Sequence, residues 1–145
     1  MIFNKKDDKY VLSKDAAEKV IEDMFEYLEI DIDEIEEKDT KDMIKKNIGR
    51  VIKAVRLGRL EIKHEGGFKV IQHLRNDTDK QNSLTFKVPG AIAKKAMADK
   101  NPNDFYGRIY AMMGSACGLG EAAIDKLDPI DLSVVEVLGA IFLSV

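Results

Sequence analysis

Asp125, Asp128 and Asp131 are the first residues in this 145-residue chain whose types and spacing invite chemistry. Carboxylates brought close together can divide general-acid and general-base duties. Their local context gives a simpler reading. Asp128 precedes Pro129, the pattern of a helix N-cap followed by proline at the first helical position. Asp131, a turn further on, stands where a carboxylate answers the positive end of a helix dipole. His64 and His73, with Glu65 beside the first, are the candidate metal ligands, but no third well-spaced ligand accompanies them and no metal is assigned. Cys117 is the lone cysteine. It sits in Gly114-Ser115-Ala116-Cys117-Gly118 on the packing side of a helix, without a histidine close in sequence, and reads as a small apolar filler. The stretch Gly114 to Gly120 lacks both the Lys-Ser/Thr ending and the preceding strand of a phosphate loop. Gly118-Leu119-Gly120 reads instead as a helix stop. The chain offers no enzyme signature and no cofactor motif, so a non-enzymatic role is expected.

The elements that position these residues follow from periodicity. Ser13 is a candidate N-cap, and Ala16, Ala17, Val20, Ile21, Met24, Phe25 and Leu28 trace one face of a first helix. An acidic segment, Glu29 to Asp39, follows. A second helix is expected from about Thr40 to Leu57, with Ile44, Ile48, Val51, Ile52 and Val55 on its apolar face and Gly58 as its stop. The period then changes to two. Leu60 and Ile62 alternate with charged residues, Glu65-Gly66-Gly67 makes a turn, and Phe68, Val70 and Gln72 resume the alternation. Asn76 to Asn82 is a polar loop. Leu84 to Val88 is a third strand, stopped by Pro89-Gly90. A short helix from about Ala91 to Ala98 follows, then one holding Phe105, Ile109, Met112, Met113 and Ala116. Strands and helices do not alternate, which excludes a parallel sheet. The fold class expected is α+β: two N-terminal helices, a three-stranded antiparallel meander and a C-terminal helical cluster. They form a single domain over 1–145, divided into an N-terminal helix and acidic segment (1–39) and a core (40–145).

Composition bounds the function. With 45% apolar and 34% charged residues, the chain has enough apolar content for one core and no mark of wholesale disorder. Its net charge of −3 argues against a protein dominated by nucleic-acid binding. A single cysteine suits a reducing compartment, the first eight residues lack the apolar run of a secretion signal, and no apolar stretch reaches membrane-spanning length. A cytoplasmic protein without a membrane partner is expected, in the host cytoplasm if the gene is viral.

Two surface features remain. Lys45, Lys46, Arg50, Lys53 and Arg56 lie on an arc opposite the apolar face of the second helix, and Arg59 and Lys63 continue the positive run. The plainer reading is a solvated basic face partly neutralised by the acidic segment; the sharper one is a docking surface for nucleic acid or an acidic protein. Aromatic residues for base stacking are missing there, which disfavours nucleic acid. The second feature is the final helix, Asp131 to Val145. At about 100° per residue, Val134, Val135, Val137, Leu138, Ile141, Phe142 and Val145 cover almost half its circumference, and Leu132 and Leu143 occupy the other side. A helix apolar on two sides is central to a core or pressed against a partner.

Phe105-Tyr106-Gly107-Arg108-Ile109-Tyr110-Ala111-Met112-Met113, then Cys117-Gly118-Leu119, then Ile124-Asp125-Lys126-Leu127-Asp128-Pro129-Ile130-Asp131-Leu132 and the closing apolar helix resemble the tail assembly chaperones of tailed phages and prophages. Ala54 to Ile62, with the hairpin after it, is also similar to the start of such domains, so the resemblance runs from about Ile48 to Val145. It implies a non-enzymatic protein that binds and solubilises the tape-measure protein and recruits tail-tube subunits. A homo-oligomer is expected through the C-terminal helix, because an apolar helix left uncovered makes a large exposed patch. The expected partner-binding residues are Tyr106, Tyr110, Met113, Val134, Leu138, Ile141 and Phe142. The alternatives are a structural tail or connector component of a phage particle, and a nucleic-acid-associated regulator using the basic helix 41–57.

Overall fold

A computed structural model describes residues 9–75 and 83–145. The polar loop expected at Asn76 to Asn82 and the first eight residues lie outside them. The fold is α+β, with the helices before and after the sheet in the order expected. Helix α1 (Lys14–Tyr27) opens on Ser13, whose side chain accepts from the Ala16 N–H. It buries Ala17, Ile21 and Met24. A short 3-10 turn (Ile32–Glu34) leads into α2 (Lys38–Arg56). Helix α2 starts two residues before Thr40, its expected first residue, and buries Ile44, Val51, Ala54 and Val55.

Gly58 ends α2 at φ +74°, a left-handed conformation that costs glycine little. Its N–H bonds to Val55 O at 3.1 Å, and the next N–H, from Arg59, reaches back to Ala54 O at 2.9 Å. The chain thereby leaves the helix directly into β1 (Leu60–Lys63), followed by β2 (Lys69–His73) and β3 (Ser83–Lys87). The three strands form an antiparallel meander in sequence order. The register sets Leu60 opposite Gln72 and Gln72 opposite Leu84, with Ile62, Val70 and Phe86 aligned in the next row. Alternation puts both rows on the inner face. Gln72 is therefore a polar residue in an apolar row.

Four helices complete the fold: α3 (Ala91–Met97), α4 (Phe105–Ala116), α5 (Glu121–Asp125) and α6 (Pro129–Leu143). Helix α6 packs along α2 on one side and against α4 on another. This decides the fate of the two-sided apolar helix: Val135, Val137, Leu138, Ala140, Ile141 and Phe142 have no exposed surface. Burying each of the larger side chains favours folding by about 1.5–3 kcal/mol relative to exposure. Gly139 permits the close crossing with α4, since a Cβ there would lie 2.4 Å from Ile109 Cγ2. The residues of α1 join the same core, through Ala17, Ile21, Met24 and Leu28. None of the helices among the described residues is long and apolar enough to cross a membrane.

Candidate docking cleft

Between the C-terminal half of α2, the end of β2 and the first turns of α6 lies a cleft of about 570 Å³. Its volume falls within the range of ordinary ligand pockets. Helix α2 contributes Arg50, Lys53 and Ala54, and Leu57 and Arg59 continue that wall. Gln72 and Arg75 come from the sheet side, and Pro129, Ile130, Asp131, Ser133 and Val134 from α6. Lys9 stands at the same opening. Among the described residues the lining combines five cationic side chains with one carboxylate, Asp131, over an apolar floor.

A hydrogen-bond clamp fixes the α6 end of this cleft to the sheet. Asp128 Oδ1 accepts from the Ile130 and Asp131 N–H groups at 3.0 and 2.8 Å, as the sequence pattern of an N-cap predicts. Its other oxygen accepts from Arg75 Nη1 at 3.3 Å. Asp131 Oδ2 accepts from the Arg75 backbone N–H at 3.1 Å, and the Asp131 carbonyl accepts from Gln72 Nε2 at 3.0 Å. The hydrogen bond from the Asp131 N–H, more than the Arg75 charge, holds the Asp128 carboxyl below its ordinary range. Burial pushes the Asp131 carboxyl up, against the pull of the Arg75 N–H and the nearby charges of Arg59 and Arg75. Asp131 thus does more than answer the helix dipole: it is a buried tie between α6 and β2.

Gln72 is only 2% exposed. Its amide orientation is set by the Asp131 carbonyl, which requires a donor; the reverse orientation would oppose two oxygens. The consequence is that Gln72 Oε1 is buried and has no hydrogen-bond partner. Such an acceptor costs folding free energy, typically about 1–3 kcal/mol. Arg50, Lys53 and Arg59, on the same cleft, enter no salt bridge among the described residues, whereas Arg75 is paired with Asp128.

The expected site residues separate on folding. Of the basic surface, Arg50 and Lys53 reach the cleft. Lys45 instead pairs with Asp33 at 3.2 Å, Lys46 is exposed, and Arg56 stacks on the Tyr10 ring at 3.8 Å. The arc on α2 is therefore split between a neutralised end beside the acidic segment and an open end at the cleft. Among the expected partner-binding residues, Met113, Leu138, Ile141 and Phe142 have no exposed surface and belong to the core. Where a partner contact was expected the chain packs them inside, Met113 on the buried face of α4 and the other three on faces of α6 that α2 and α4 cover. Val134, 6% exposed, closes the cleft floor from α6. Tyr106 is exposed, while Tyr110 donates to Glu136 at 2.7 Å and is half-buried. Burial first, then this bond to an anion, raises the Tyr110 phenol.

The remaining candidates have separate local partners. His73 is 2.6 Å from Glu61, and that hydrogen bond lowers the Glu61 carboxyl. His64 meets the edges of Tyr27 and Phe68, whose own rings stack 5.2 Å apart. Cys117 Sγ donates to the Gly114 carbonyl at 3.4 Å. Asp125 is exposed on α5, apart from the Asp128–Asp131 clamp. Among the described residues no three His, Cys, Asp or Glu side chains group as a metal site.

Compared with known proteins, the chain matches no family model, no curated protein and no solved structure.

Proposed function

We infer that this chain is an assembly chaperone that holds a partner polypeptide without modifying it, in the manner of the phage tail proteins its C-terminal two thirds resemble. The observation that carries the reading is the cleft between α2 and α6, where an apolar floor of Ala54, Leu57, Ile130 and Val134 is framed by cations. Apolar contacts supply affinity for a polypeptide, and the charged frame selects among partners and speeds encounter. The partners proposed are a tape-measure protein and, through it, tail-tube subunits. Self-association through α6 would have to use the aliphatic side chains left partly open on it, Ile130, Leu132 and Leu143, since the apolar residues from Val135 to Phe142 are covered within the chain.

Co-expression tests this function. A tape-measure protein encoded beside this gene should move from the insoluble to the soluble fraction and co-purify with the chain. A partner that stays insoluble and unbound contradicts the reading. If mass spectrometry finds the chain in finished particles, the structural-component alternative replaces it.

The convergence of Arg50 and Lys53 with Lys9, Arg59 and Arg75 also favours a second reading, in which the cleft binds nucleic acid. Charge reversal at Lys53 would then reduce DNA affinity and flatten its dependence on salt. Unchanged DNA binding removes this alternative.

A further inference from the structure

We propose that the α2/α6 cleft captures an acidic segment of a partner polypeptide, with its carboxylates on Arg50, Lys53 and Arg59 and one of its backbone N–H groups on Gln72 Oε1. The inference rests on the partner-holding function above and assigns the chemistry of the segment held. Two independent observations support it. The first is charge: three cations at the cleft lack salt bridges among the described residues, while the same chain neutralises Lys45 locally with Asp33. The second is the orphaned acceptor. Gln72 lines the cleft with its Nε2 committed to Asp131 and its Oε1 without a donor.

A ligand matched to this wall must carry negative charge, a hydrogen-bond donor and an apolar surface. Peptide supplies all three, because each residue other than proline brings an N–H beside its side chain. A nucleic acid carries its charge on the phosphodiesters and its N–H donors on the bases, but it brings no aliphatic side chain to meet Leu57 and Ile130. Inorganic phosphate lacks the apolar part. The occupant that satisfies the whole lining is a segment in which Asp or Glu alternates or neighbours with aliphatic residues. Carboxylate–guanidinium hydrogen bonds are the strong members of such a set.

The test uses the full chain and a fluorescent peptide alternating Glu and Leu, read by anisotropy against a counterpart with Gln for each Glu. The Glu peptide should bind at least about tenfold more tightly, the equivalent of one charge-assisted hydrogen bond. Added salt should weaken it. The double variant Arg50→Glu, Lys53→Glu changes exposed side chains, so it should keep its circular dichroism and lose the preference for the Glu peptide. Gln72→Leu should weaken both peptides by a similar factor, since it removes a contact to backbone. Equal binding of the two peptides, failure of both to bind, undiminished binding by the folded double variant, or displacement of the Glu peptide by duplex DNA at lower concentration than by unlabelled peptide would each overturn the proposal. The two levels of the account fail separately. If the double variant keeps a tape-measure protein soluble as well as the parent does, the cleft assignment falls and the chaperone function stands. If the peptide binds as described but no tape-measure protein is held, the reverse follows.

Discussion

The two ends of α6 are built from the same aliphatic residue types and do opposite things. From Val135 to Phe142 the helix is enclosed by α2 and α4, with Gly139 letting Ile109 approach closely. From Pro129 to Val134 it borders an open cleft and is tied to the sheet by a capping carboxylate, a buried Asp131 and a glutamine. The difference lies in the neighbours. Along its C-terminal half α6 meets apolar faces of two helices. At its N-terminal end it meets the cationic flank of α2 and the end of a strand, where close packing would have buried charges without partners.

Charge placed in the enclosed half should break this contrast most severely. Leu138→Asp and Ile141→Asp each put a carboxylate where no exposed surface exists, at a cost on the order of 5 kcal/mol. That is comparable to the whole stability of a domain, roughly 5–15 kcal/mol. Loss of helical circular dichroism and of a cooperative melt is expected, whereas a folded protein of reduced mass by light scattering would return α6 to an interface role. Gly139→Ala is milder, about 1–3 kcal/mol of destabilisation from overpacking against Ile109. Combined with Ile109→Ala in a double-mutant cycle, its cost should shrink, because the clashing atoms are gone. Additive effects would separate the two positions.

The open end should respond less. Asp128→Ala removes the N-cap and its bond to Arg75, costing about 1 kcal/mol in denaturant melts at neutral pH. Because folding lowers the Asp128 carboxyl, its stabilisation is present above the unfolded value of about 3.9 and fades as pH falls through the folded one. Parent and variant should therefore converge in acid. Asp131 has the opposite sign. Its folded value is raised by burial, so its contribution is complete below about pH 3.9 and is lost as pH rises through the folded value. Asp131→Asn, which can still accept from Arg75, should flatten the stability profile over that interval. An unchanged profile would mean that the carboxyl is not buried as described.

Local signals in the sequence were legible where they needed no distant partner. Ser13 and Asp128 as N-caps, Gly58 as a stop and the two-residue alternation of the hairpin all depend on neighbours within a few residues, and each occurs in the fold. The role of α6 was not decided in that way. An apolar helix with two faces satisfies a core and an interface equally, and only the placement of α2 and α4 separates them. The basic arc on α2 shows the same limit, since helical spacing groups Lys45 with Lys53 while tertiary contacts send one to Asp33 and the other to the cleft. Gln72 carried an unused signal: a polar side chain in the apolar phase of an alternating strand. Its partner lies 59 residues away, so periodicity reveals the anomaly but not its answer.

Partner capture is proposed for the open end of α6 and not for its enclosed end. Hydrogen exchange of the full chain, alone and with a tape-measure protein, reads both ends in one experiment. The account predicts that amides of Val137 to Phe142 are already strongly protected in the free chain and do not change, while Arg50 to Arg59 and Ile130 to Val134 gain protection when the partner is added. Rapid exchange at Val137 to Phe142 in the free chain, slowed only by the partner, would contradict it.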